Sequence, residues 1–138
     1  LHATKDVKLV LVDYLQLVNA SSKKGSREQE VSLIARSLKN ISKELGITVV
    51  ALSQLNRGVA MRTESRPTMA DLRESGEIEQ AADIVILVYR PEYYGITESE
   101  GSNTRGLAEI IFAKGRNIGV GKVNMKFIPN LTKFIDSV

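Results

Sequence analysis

The sequence has no cysteine and no tryptophan, and aromatic residues make up only 5% of its 138 positions. Without cysteine there is neither a disulfide framework nor a thiolate metal site, and this absence fits a reducing compartment. No apolar run approaches the ~20 residues that are needed to cross a bilayer, and the first residues lack the layout of a secretory signal peptide. We therefore expect a cytoplasmic protein that makes no contact with a membrane.

The sequence also lacks a large excess of charge of either sign, since the formal net charge is +3. The length and a hydrophobic share of 43% are those of a single globular domain. Locally, acidic residues are interleaved with a cluster of four arginines at Arg57, Arg62, Arg66 and Arg73. This pattern fits either a solvated loop of mixed charge or a surface that contacts nucleic-acid phosphates, and the residues alone leave both open.

Five short segments have the character of β-strands. Residues 8–12, 47–52 and 84–89 are nearly continuous apolar runs, which are typical of strands buried on both faces of a sheet. Residues 107–113 and 122–128 follow, and the second segment alternates apolar and polar side chains. Alternation of this kind indicates a half-exposed antiparallel pair, and the glycine-containing turn between the two segments predicts a hairpin.

One amphipathic helix is predicted between the first two strands. Apolar residues recur at spacings of three and four over residues 31–45. Ser26 and Gln29 have the pattern of a capping box at its start, and Gly46 stands where a left-handed cap would end it. A helix joining two such strands predicts a βαβ unit with a parallel sheet. Elsewhere we predict a helical turn at 68–74, a short helix at 77–82 and an exposed loop at 91–106.

Polar residues follow the first two predicted strands directly. Asp13 ends the first apolar run, and Ser53 and Gln54 end the second. Ligands of parallel sheets bind at the carboxyl ends of the strands, where a carboxylate can hold Mg²⁺ and a glutamine can hydrogen-bond a phosphate or a water. The alternative is that Asp13 caps a turn and that Gln54 is an ordinary surface residue.

The phosphate-binding loop G-x-x-x-x-G-K-[ST] is absent from the sequence. Gly101 and Gly106 have the required glycine spacing, but Leu107 follows where lysine is needed. Gly121 and Lys122 form a glycine–lysine pair, but no glycine stands five positions before them. The chain by itself therefore lacks the usual cradle for a triphosphate.

Two cations close the predicted strand at 107–113. Lys114 and Arg116 are two positions apart, so on an extended segment both point to the same side. Such a pair suits an anion, for example a phosphoryl group in the site of a neighbouring subunit. A lysine and an arginine at the solvent-exposed end of a hairpin are an equally acceptable interpretation.

The segment Arg73-Glu-Ser-Gly76 offers a cation, a hydroxyl group and a glycine whose backbone N–H a ligand can approach closely. A loop of this composition can hold a nucleic-acid backbone without reading the bases. The simpler interpretation is a helix C-terminus with Gly76 as its cap, and it is compatible with a role in binding.

These features occur together in stretches that resemble a known family. The stretches are LVLVDYLQLV (9–18), SREQEVSLIARSLKNISKELGITVVALSQLNR (26–57), RPTMADLRESGEIEQAADIVILVYRPEYY (66–94) and AEIIFAKGRN (108–117). In this order they resemble the C-terminal ATPase domain of the DnaB-type replicative helicases, which are RecA-like hexameric motors. The combination of DYLQL, LSQLNR and DLRESGxIEQ carries the resemblance, which spans nearly the whole chain.

The resemblance implies roles in nucleotide binding and hydrolysis. Asp13 matches the Walker B aspartate that holds Mg²⁺ through water. Gln54, with Ser53 beside it, matches the residue that senses the γ-phosphate of ATP. Lys114 and Arg116 match the paired fingers that reach into the ATP site of the adjacent subunit.

A second implied site binds DNA. Arg73, Glu74 and Gly76 match the loop that contacts the phosphates of the single strand inside the ring, with Glu74 contributing its backbone N–H. The sequence departs from the family at Gly115, where glutamine is more common, and we expect this glycine to loosen the finger strand.

The fold implied is the C-terminal part of a RecA-like P-loop NTPase sheet, with parallel strands and helices followed by antiparallel strands. The whole of residues 1–138 would then be one incomplete domain, because the family's P-loop and catalytic glutamate precede the Walker B strand. The P-loop strand lies between the strands at 47–52 and 84–89 in that fold, so we expect a gap in the sheet. The chain is then a piece of a longer motor.

The function implied is that of a hexameric replicative DNA helicase, which couples ATP hydrolysis to translocation on single-stranded DNA and to duplex unwinding. ATP and Mg²⁺ would be its cofactors. Its partners would be single-stranded DNA, identical subunits, and the primase and helicase loader of a primosome. Two alternatives are a RecA- or RadA-like recombination ATPase, and a fragment without activity that only complements or binds a P-loop-bearing partner.

Overall fold

The computed structural model describes residues 6–19, 26–62, 65–99 and 101–137, and of residues 73–75 only the backbone. The chain divides into two compact units. The first comprises Leu1–Asn56 and Leu72–Ala82, and the second comprises Arg57–Asp71 and Asp83–Val138.

The first unit is built on a parallel pair of strands. Strand β1 (Leu9–Val12) pairs with strand β2 (Thr48–Ala51), from Leu9 opposite Thr48 to Val12 opposite Ala51. Helix α1 (Arg27–Leu45) connects the two strands. The predicted βαβ unit is therefore confirmed, with strand ends that differ from the prediction by one residue.

Helix α1 begins and ends as its sequence predicts. The hydroxyl of Ser26 accepts a hydrogen bond from the backbone N–H of Gln29, and the Gln29 side chain accepts one in return from the N–H of Ser26. Gly46 ends the helix in the left-handed conformation, with φ of +62°. The apolar stripe is buried over its first turns, at Val31, Ile34 and Ala35.

A short helix, α2 (Gly76–Ala81), packs against α1. It follows a 3-10 helix at Met69–Ser75, so both helical elements predicted in this region exist. Arg36 on α1 donates to Glu77 on α2, with 2.7 Å between Nε and Oε2. This hydrogen bond raises the pKa of Arg36 and lowers the pKa of Glu77, so both groups are charged over the physiological range.

The second unit contains an antiparallel sheet in the order β3-β6-β7-β8. Its strands and those of a small separate hairpin are β3 (Ile84–Tyr89), β4 (Glu98–Ser99), β5 (Ser102–Asn103), β6 (Leu107–Gly115), β7 (Gly121–Ile128) and β8 (Lys133–Asp136). The β6–β7 hairpin confirms the predicted antiparallel pair. Strand β8 and the β4–β5 hairpin were not predicted, because four- and two-residue strands leave too few positions for a period to show.

The strands predicted to be buried on both faces are exposed on one, so this prediction is wrong for the described residues. Leu11 on β1 is 70% exposed, and Val50 on β2 is 45% exposed. On β3 every second residue is exposed, with Ile86 and Val88 near one half. The physical reason is that a face of a sheet is buried only where another element packs over it, and no described element covers these exposed side chains.

β2 and β3 belong to different hydrogen-bonded sheets, and among the described residues no strand pairs with the free edge of either. The gap expected between them stays a prediction.

The core of the second unit contains a carboxylate. Glu109 on β6 is 5% exposed. One of its oxygens lies 3.1 Å from Nζ of Lys122, and the other lies 2.5 Å from a guanidinium nitrogen of Arg66. The Arg66 guanidinium also lies over the ring of Tyr89, 5.8 Å from its centroid. A buried charge is tolerated only when it is paired, so these two cations are what allows Glu109 to lie in the core.

Substitution of Arg66 tests this dependence. We expect Arg66→Ala to lower the free energy of unfolding by about 1–3 kcal/mol, because it removes one of two partners from a buried carboxylate. Arg105→Ala, which removes an exposed arginine of the same unit, is the control and should stay within about 0.5 kcal/mol of the parent. Urea denaturation measures both, and equal stability of the two variants would contradict the role of Arg66.

Candidate functional site

Backbone pairing continues past the carboxyl ends of β1 and β2. The N–H of Leu52 donates to the carbonyl of Val12, and the N–H of Leu15 donates to the carbonyl of Leu52, both at 2.9 Å. Asp13 follows Val12 directly, and the Asp13–Tyr14 peptide bond is cis. The residues that follow the two strands therefore lie at one edge of the sheet, as predicted.

The side chain of Gln16 joins the two strand ends. Its amide nitrogen donates to the hydroxyl of Ser53 at 3.1 Å and approaches the carbonyl of Gln54 at 3.4 Å. Its amide oxygen accepts from the backbone N–H of Gln54 at 3.2 Å. One side chain thus fixes the backbone of the Ser53–Gln54 segment relative to the segment that carries Asp13.

Arg27, in the first turn of α1, holds Gln16 from the other side. Its guanidinium donates to the backbone carbonyls of Gln16 and of Val18, the second at 3.2 Å, and it pairs with Glu30 one turn along α1. The 3-10 helix at Leu15–Leu17 is therefore tied both to the end of β2 and to the start of α1. This arrangement preforms the edge on which the predicted nucleotide-binding residues stand.

The predicted residues differ in their exposure at this edge. Asp13 and Gln54 are exposed, and Ser53 is half-buried with its hydroxyl accepting from Gln16. No group of three or more His, Cys, Asp or Glu side chains able to hold a metal ion occurs in the part of the chain that the structure describes. A single exposed carboxylate fits Mg²⁺ that keeps most of its waters and arrives with phosphates, and it does not fit an ion held by protein ligands alone.

The structure describes only part of the predicted DNA-binding segment. The side chains of Arg73 and Glu74 lie outside the described residues, and their backbone forms the last turn of the 3-10 helix. Gly76 is the first residue of α2 and does not adopt a left-handed φ. The interpretation of Gly76 as a helix C-cap is therefore wrong.

Gly76 has open space where a side chain would be. No described atom lies within 4 Å of a Cβ built at this position. The fold of the described chain therefore does not need a glycine here.

A network of hydrogen bonds fixes the 3-10 helix that leads to this segment. Asp71 accepts from the backbone N–H and the hydroxyl of Thr68, at 2.7 and 3.0 Å, and it also pairs with Arg62. Burial alone would raise the pKa of Asp71, but the hydrogen bonds from Arg62 and Thr68 outweigh it and lower the pKa. Because the folded-state pKa is the lower one, the contribution of Asp71 to stability is present at neutral pH and is lost below about pH 4.

Lys114 and Arg116 lie at the end of β6, as predicted. Lys114 is half-buried within the strand, and Arg116 is the first residue after it. The backbone N–H of Arg116 donates to the carbonyl of Asp83 at 2.8 Å, and a guanidinium nitrogen of Arg116 lies 3.0 Å from a carboxylate oxygen of Asp83. The base of the predicted finger is therefore attached to the residue that precedes β3.

Gly115 permits a close contact inside this hairpin. A Cβ at Gly115 would lie 2.3 Å from the side chain of Ile118 and 2.6 Å from its carbonyl oxygen. Gly115 pairs with Ile84 of β3, but the register of this pairing shifts between Val85 and Ile86, where Ala113 is an extra residue on β6. The expected loosening by Gly115 stays a prediction. The missing side chain lets Ile118 close onto the strand.

Sequence reasoning missed the residues that hold the site together. Gln16, Arg27 and Asp83 contact candidate residues or their neighbours but contact no expected ligand themselves. Gln16 carried a signal, because it is a polar residue inside an apolar run and three positions after Asp13. Asp83 and Arg27 carried none, because nothing in a sequence indicates which cation a distant carboxylate or carbonyl will meet.

The family model described as "DnaB-like helicase C terminal domain" matches residues 1–136 of the chain. The chain is 50% identical over 129 residues to the "Replicative DNA helicase DnaC" of Bacillus subtilis (strain 168), covering 93% of this chain and 28% of that protein. It is 48% identical over 133 residues to a "Probable replicative DNA helicase" of Trieres chinensis, covering 96% and 29%. The chain thus spans less than a third of the length of these relatives.

Solved structures give the same result. A structure titled "The Structure Of A DnaB-Like Replicative Helicase And Its Interactions With Primase" is 42% identical, superposes with a TM-score of 0.85, and covers 94% of this chain and 30% of that chain. A solved ATPase domain, also 42% identical, superposes with a TM-score of 0.86 and covers 94% of this chain and 44% of its own. The fold is accordingly that of the RecA-like ATPase domain of this group.

The close contact at Gly115 has a testable consequence. We expect Gly115→Ala to lower the free energy of unfolding by about 1–3 kcal/mol, because the backbone of Ile118 has to move away from the new methyl group. Gly119→Ala is the matched control in the same hairpin, since no described atom lies within 4 Å of its Cβ. Urea denaturation of both variants decides the point, and a Gly115→Ala variant as stable as Gly119→Ala would show that the contact does not constrain the hairpin.

Proposed function

Because this chain belongs to the family of DnaB-like helicase C-terminal domains, we propose that it is part of the motor of a hexameric replicative DNA helicase. In this motor, ATP hydrolysis between subunits drives translocation on single-stranded DNA and unwinding of the duplex. The observation that carries the proposal is the preformed edge at β1 and β2, where Gln16 holds Ser53 and Gln54 beside the segment that carries Asp13.

The exposed residues of this edge have the chemistry that ATP requires. Asp13 offers a carboxylate for Mg²⁺, which would neutralise phosphate charge when it is bound. Gln54 has its backbone hydrogen-bonded to Gln16 and its side chain exposed. That combination suits a sensor, since the amide can meet a γ-phosphate or its water while the backbone transmits any displacement to the segment that follows.

A further segment is needed to complete the nucleotide site. The sequence has no phosphate-binding loop, and the outer faces of β1, β2 and β3 expose aliphatic side chains to about half of their surface or more. Exposed apolar strands with an unpaired edge are normally covered. We propose that a P-loop-bearing segment covers them and that the chain alone does not hydrolyse ATP.

Lys114 and Arg116 act on the neighbouring subunit in this proposal. Lys114 is paired with Val85 of β3, and the backbone N–H of Arg116 donates to the carbonyl of Asp83, so the backbone of both residues is held along β3. A rigidly held cation aimed at a developing phosphoryl charge lowers the barrier to phosphoryl transfer. Their use in trans requires an adjacent identical subunit, which the proposed hexameric ring supplies.

Single-stranded DNA would be held by the segment from Arg73 to Gly76. The open space at Gly76 supports this assignment, because a DNA phosphate can reach its backbone N–H where a larger residue would obstruct it. The hydrogen bonds of Asp71 with Arg62 and Thr68 would hold the start of the 3-10 helix that precedes this segment.

Primase and a helicase loader are the further partners that we propose, and the cytoplasm is the proposed location. The support for primase is the solved DnaB-like helicase whose description names its interactions with primase. None of the described helices is long and apolar enough to cross a membrane. A recombination ATPase is the less favoured alternative, because the relatives reported above are named as replicative helicases.

The proposal can be tested in a chimaeric helicase, in which this chain replaces the segment it matches in the Bacillus subtilis relative. We expect the chimaera to hydrolyse ATP and unwind forked DNA, and Arg116→Ala to reduce kcat by about a thousandfold or more. The Kd for ATP should stay nearly unchanged, because the finger acts on the site of the neighbouring subunit.

Two controls accompany this measurement. Arg105→Ala removes an exposed arginine of the same unit and should leave kcat unchanged. The isolated chain should show no ATPase activity. Equal loss of nucleotide binding and hydrolysis in Arg116→Ala would contradict the role in trans, and strand exchange without unwinding by the chimaera would favour a recombination ATPase.

A second prediction concerns DNA and separates stability from binding. Gly76→Ala should leave the free energy of unfolding unchanged or raise it by about 0.4–1 kcal/mol, because the backbone conformation and the space at Gly76 accept alanine. In the chimaeric helicase the same change should weaken binding of single-stranded DNA at least severalfold, because the methyl group obstructs the phosphate. Fluorescence anisotropy with a labelled oligonucleotide measures the affinity.

Gly119→Ala is the control, since it also adds a methyl group in open space but lies in the β6–β7 hairpin. It should bind DNA as the parent does. DNA affinity that is equal in Gly76→Ala and the parent would contradict a contact at Gly76.

A further inference from the structure

We propose that Asp83 is a positioning residue for ATP hydrolysis, which acts by orienting the guanidinium of Arg116 towards the neighbouring subunit. The inference rests on the proposed function, because it presupposes that Arg116 is a finger in trans. It adds a residue that contacts neither nucleotide nor DNA and that the sequence did not single out.

Asp83 holds Arg116 at two points. Its backbone carbonyl accepts from the N–H of Arg116 at 2.8 Å. One oxygen of its carboxylate lies 3.0 Å from Nη1 of Arg116. The backbone contact extends the β3–β6 ladder by one position beyond the pairing of Ile84 with Gly115, so the Cα of Arg116 is fixed before its side chain leaves the sheet.

The carboxylate then restricts the side chain. An arginine side chain carries about 2 kcal/mol of rotamer entropy and presents five N–H donors in a planar fork. The contact with Asp83 engages Nη1 and limits the directions that the rest of the fork can take. Such preorganisation lowers the barrier of a reaction in which the guanidinium must meet charge that develops in the transition state.

The ion pair between Asp83 and Arg116 is weak enough for Arg116 to interact with a phosphoryl group as well. The side chains of Arg116 and Asp83 are 53% and 50% exposed, and ion pairs at such exposure are screened by water and salt. An anionic phosphoryl group can therefore share the guanidinium with Asp83 without first breaking a strong pair. A buried carboxylate would instead have held the arginine away from its target.

Asp83 also has a particular place in the chain. It stands between the end of α2 at Ala81 and the start of β3 at Ile84. Helix α2 begins at Gly76, in the proposed DNA-binding segment. Only six residues of the chain therefore lie between Gly76, a proposed contact with DNA, and Asp83, which orients the finger.

The test is Asp83→Asn in the chimaeric helicase. We expect kcat to fall about two- to fivefold, the range that an exposed ion pair supports, with the KM for ATP and the affinity for single-stranded DNA unchanged. The backbone contact of residue 83 remains in this variant, so the urea unfolding curve should not move. The ratio of parent to variant kcat should decrease as salt rises, because salt screens the pair.

Three further variants show whether the effect runs through Arg116. Asp83→Glu keeps a carboxylate and should retain more activity than Asp83→Asn. Asp136→Asn makes the same chemical change at an exposed position on β8, at the opposite edge of the sheet, and should leave kcat unchanged. In the Arg116→Ala background, Asp83→Asn should cause no additional loss.

The outcomes separate the inference from the proposed function. An active parent whose kcat is unaffected or raised by Asp83→Asn would overturn the inference, since a rise would mean that the contact restrains the finger. An additional loss in the Arg116→Ala background would overturn it as well, because Asp83 would then act by another route. A parent chimaera without ATPase activity would overturn the proposed function, and this inference with it.

Discussion

Backbone hydrogen bonding that continues beyond the ends of strands is the constraint on which the candidate sites depend. In the first unit, the bonds of Leu52 with Val12 and Leu15 keep the chain paired after β1 and β2 have ended. In the second unit, the bond from Arg116 to Asp83 does the same after β6. On a segment held in this way the Cα position of each residue is fixed, so only the rotamer of its side chain has to be selected. That is why the backbone is preformed at both the proposed nucleotide-binding edge and the proposed finger.

In each candidate site, side chains that contact no expected ligand hold the candidate residues in place. Gln16 and Arg27 lock the edge that carries Asp13, Ser53 and Gln54, and Asp83 engages Arg116. The same division of roles occurs in the core of the second unit, where Arg66 and Lys122 make a buried Glu109 tolerable. Neither a buried ion pair such as that of Glu109 nor an exposed one such as that of Asp83 contributes much to net stability. What these contacts do is hold together the segments that they connect.

Much of the local fold could be predicted because its causes are local. The capping box at Ser26, the left-handed Gly46 and the apolar stripe that follows Ser26 determine α1, and β3 was predicted at its observed bounds. Predictions failed where the structure depends on residues that are distant in the sequence. The apolar runs of β1 and β2 look like strands buried on both faces, but burial depends on which neighbours are present. Gly76 looks like a helix cap, but it begins a helix. The partners of Arg116 and Glu109 could not be predicted at all, because contacts between residues distant in the sequence bring them together.

The sequence by itself determined the residue chemistry of this protein: a carboxylate and an amide after two apolar runs, two cations after a third, no phosphate-binding loop, and motifs whose order identifies the family. The physical reason is that strand and helix character, capping and motif identity depend on residues close together in the chain. Only the tertiary structure decided which of these residues are fixed by hydrogen bonds or ion pairs, and which residues are their partners. Gln16 meets Ser53 across 37 positions, and Asp83 meets Arg116 only because β3 and β6 pair. Such contacts depend on the register between strands, which no local pattern contains.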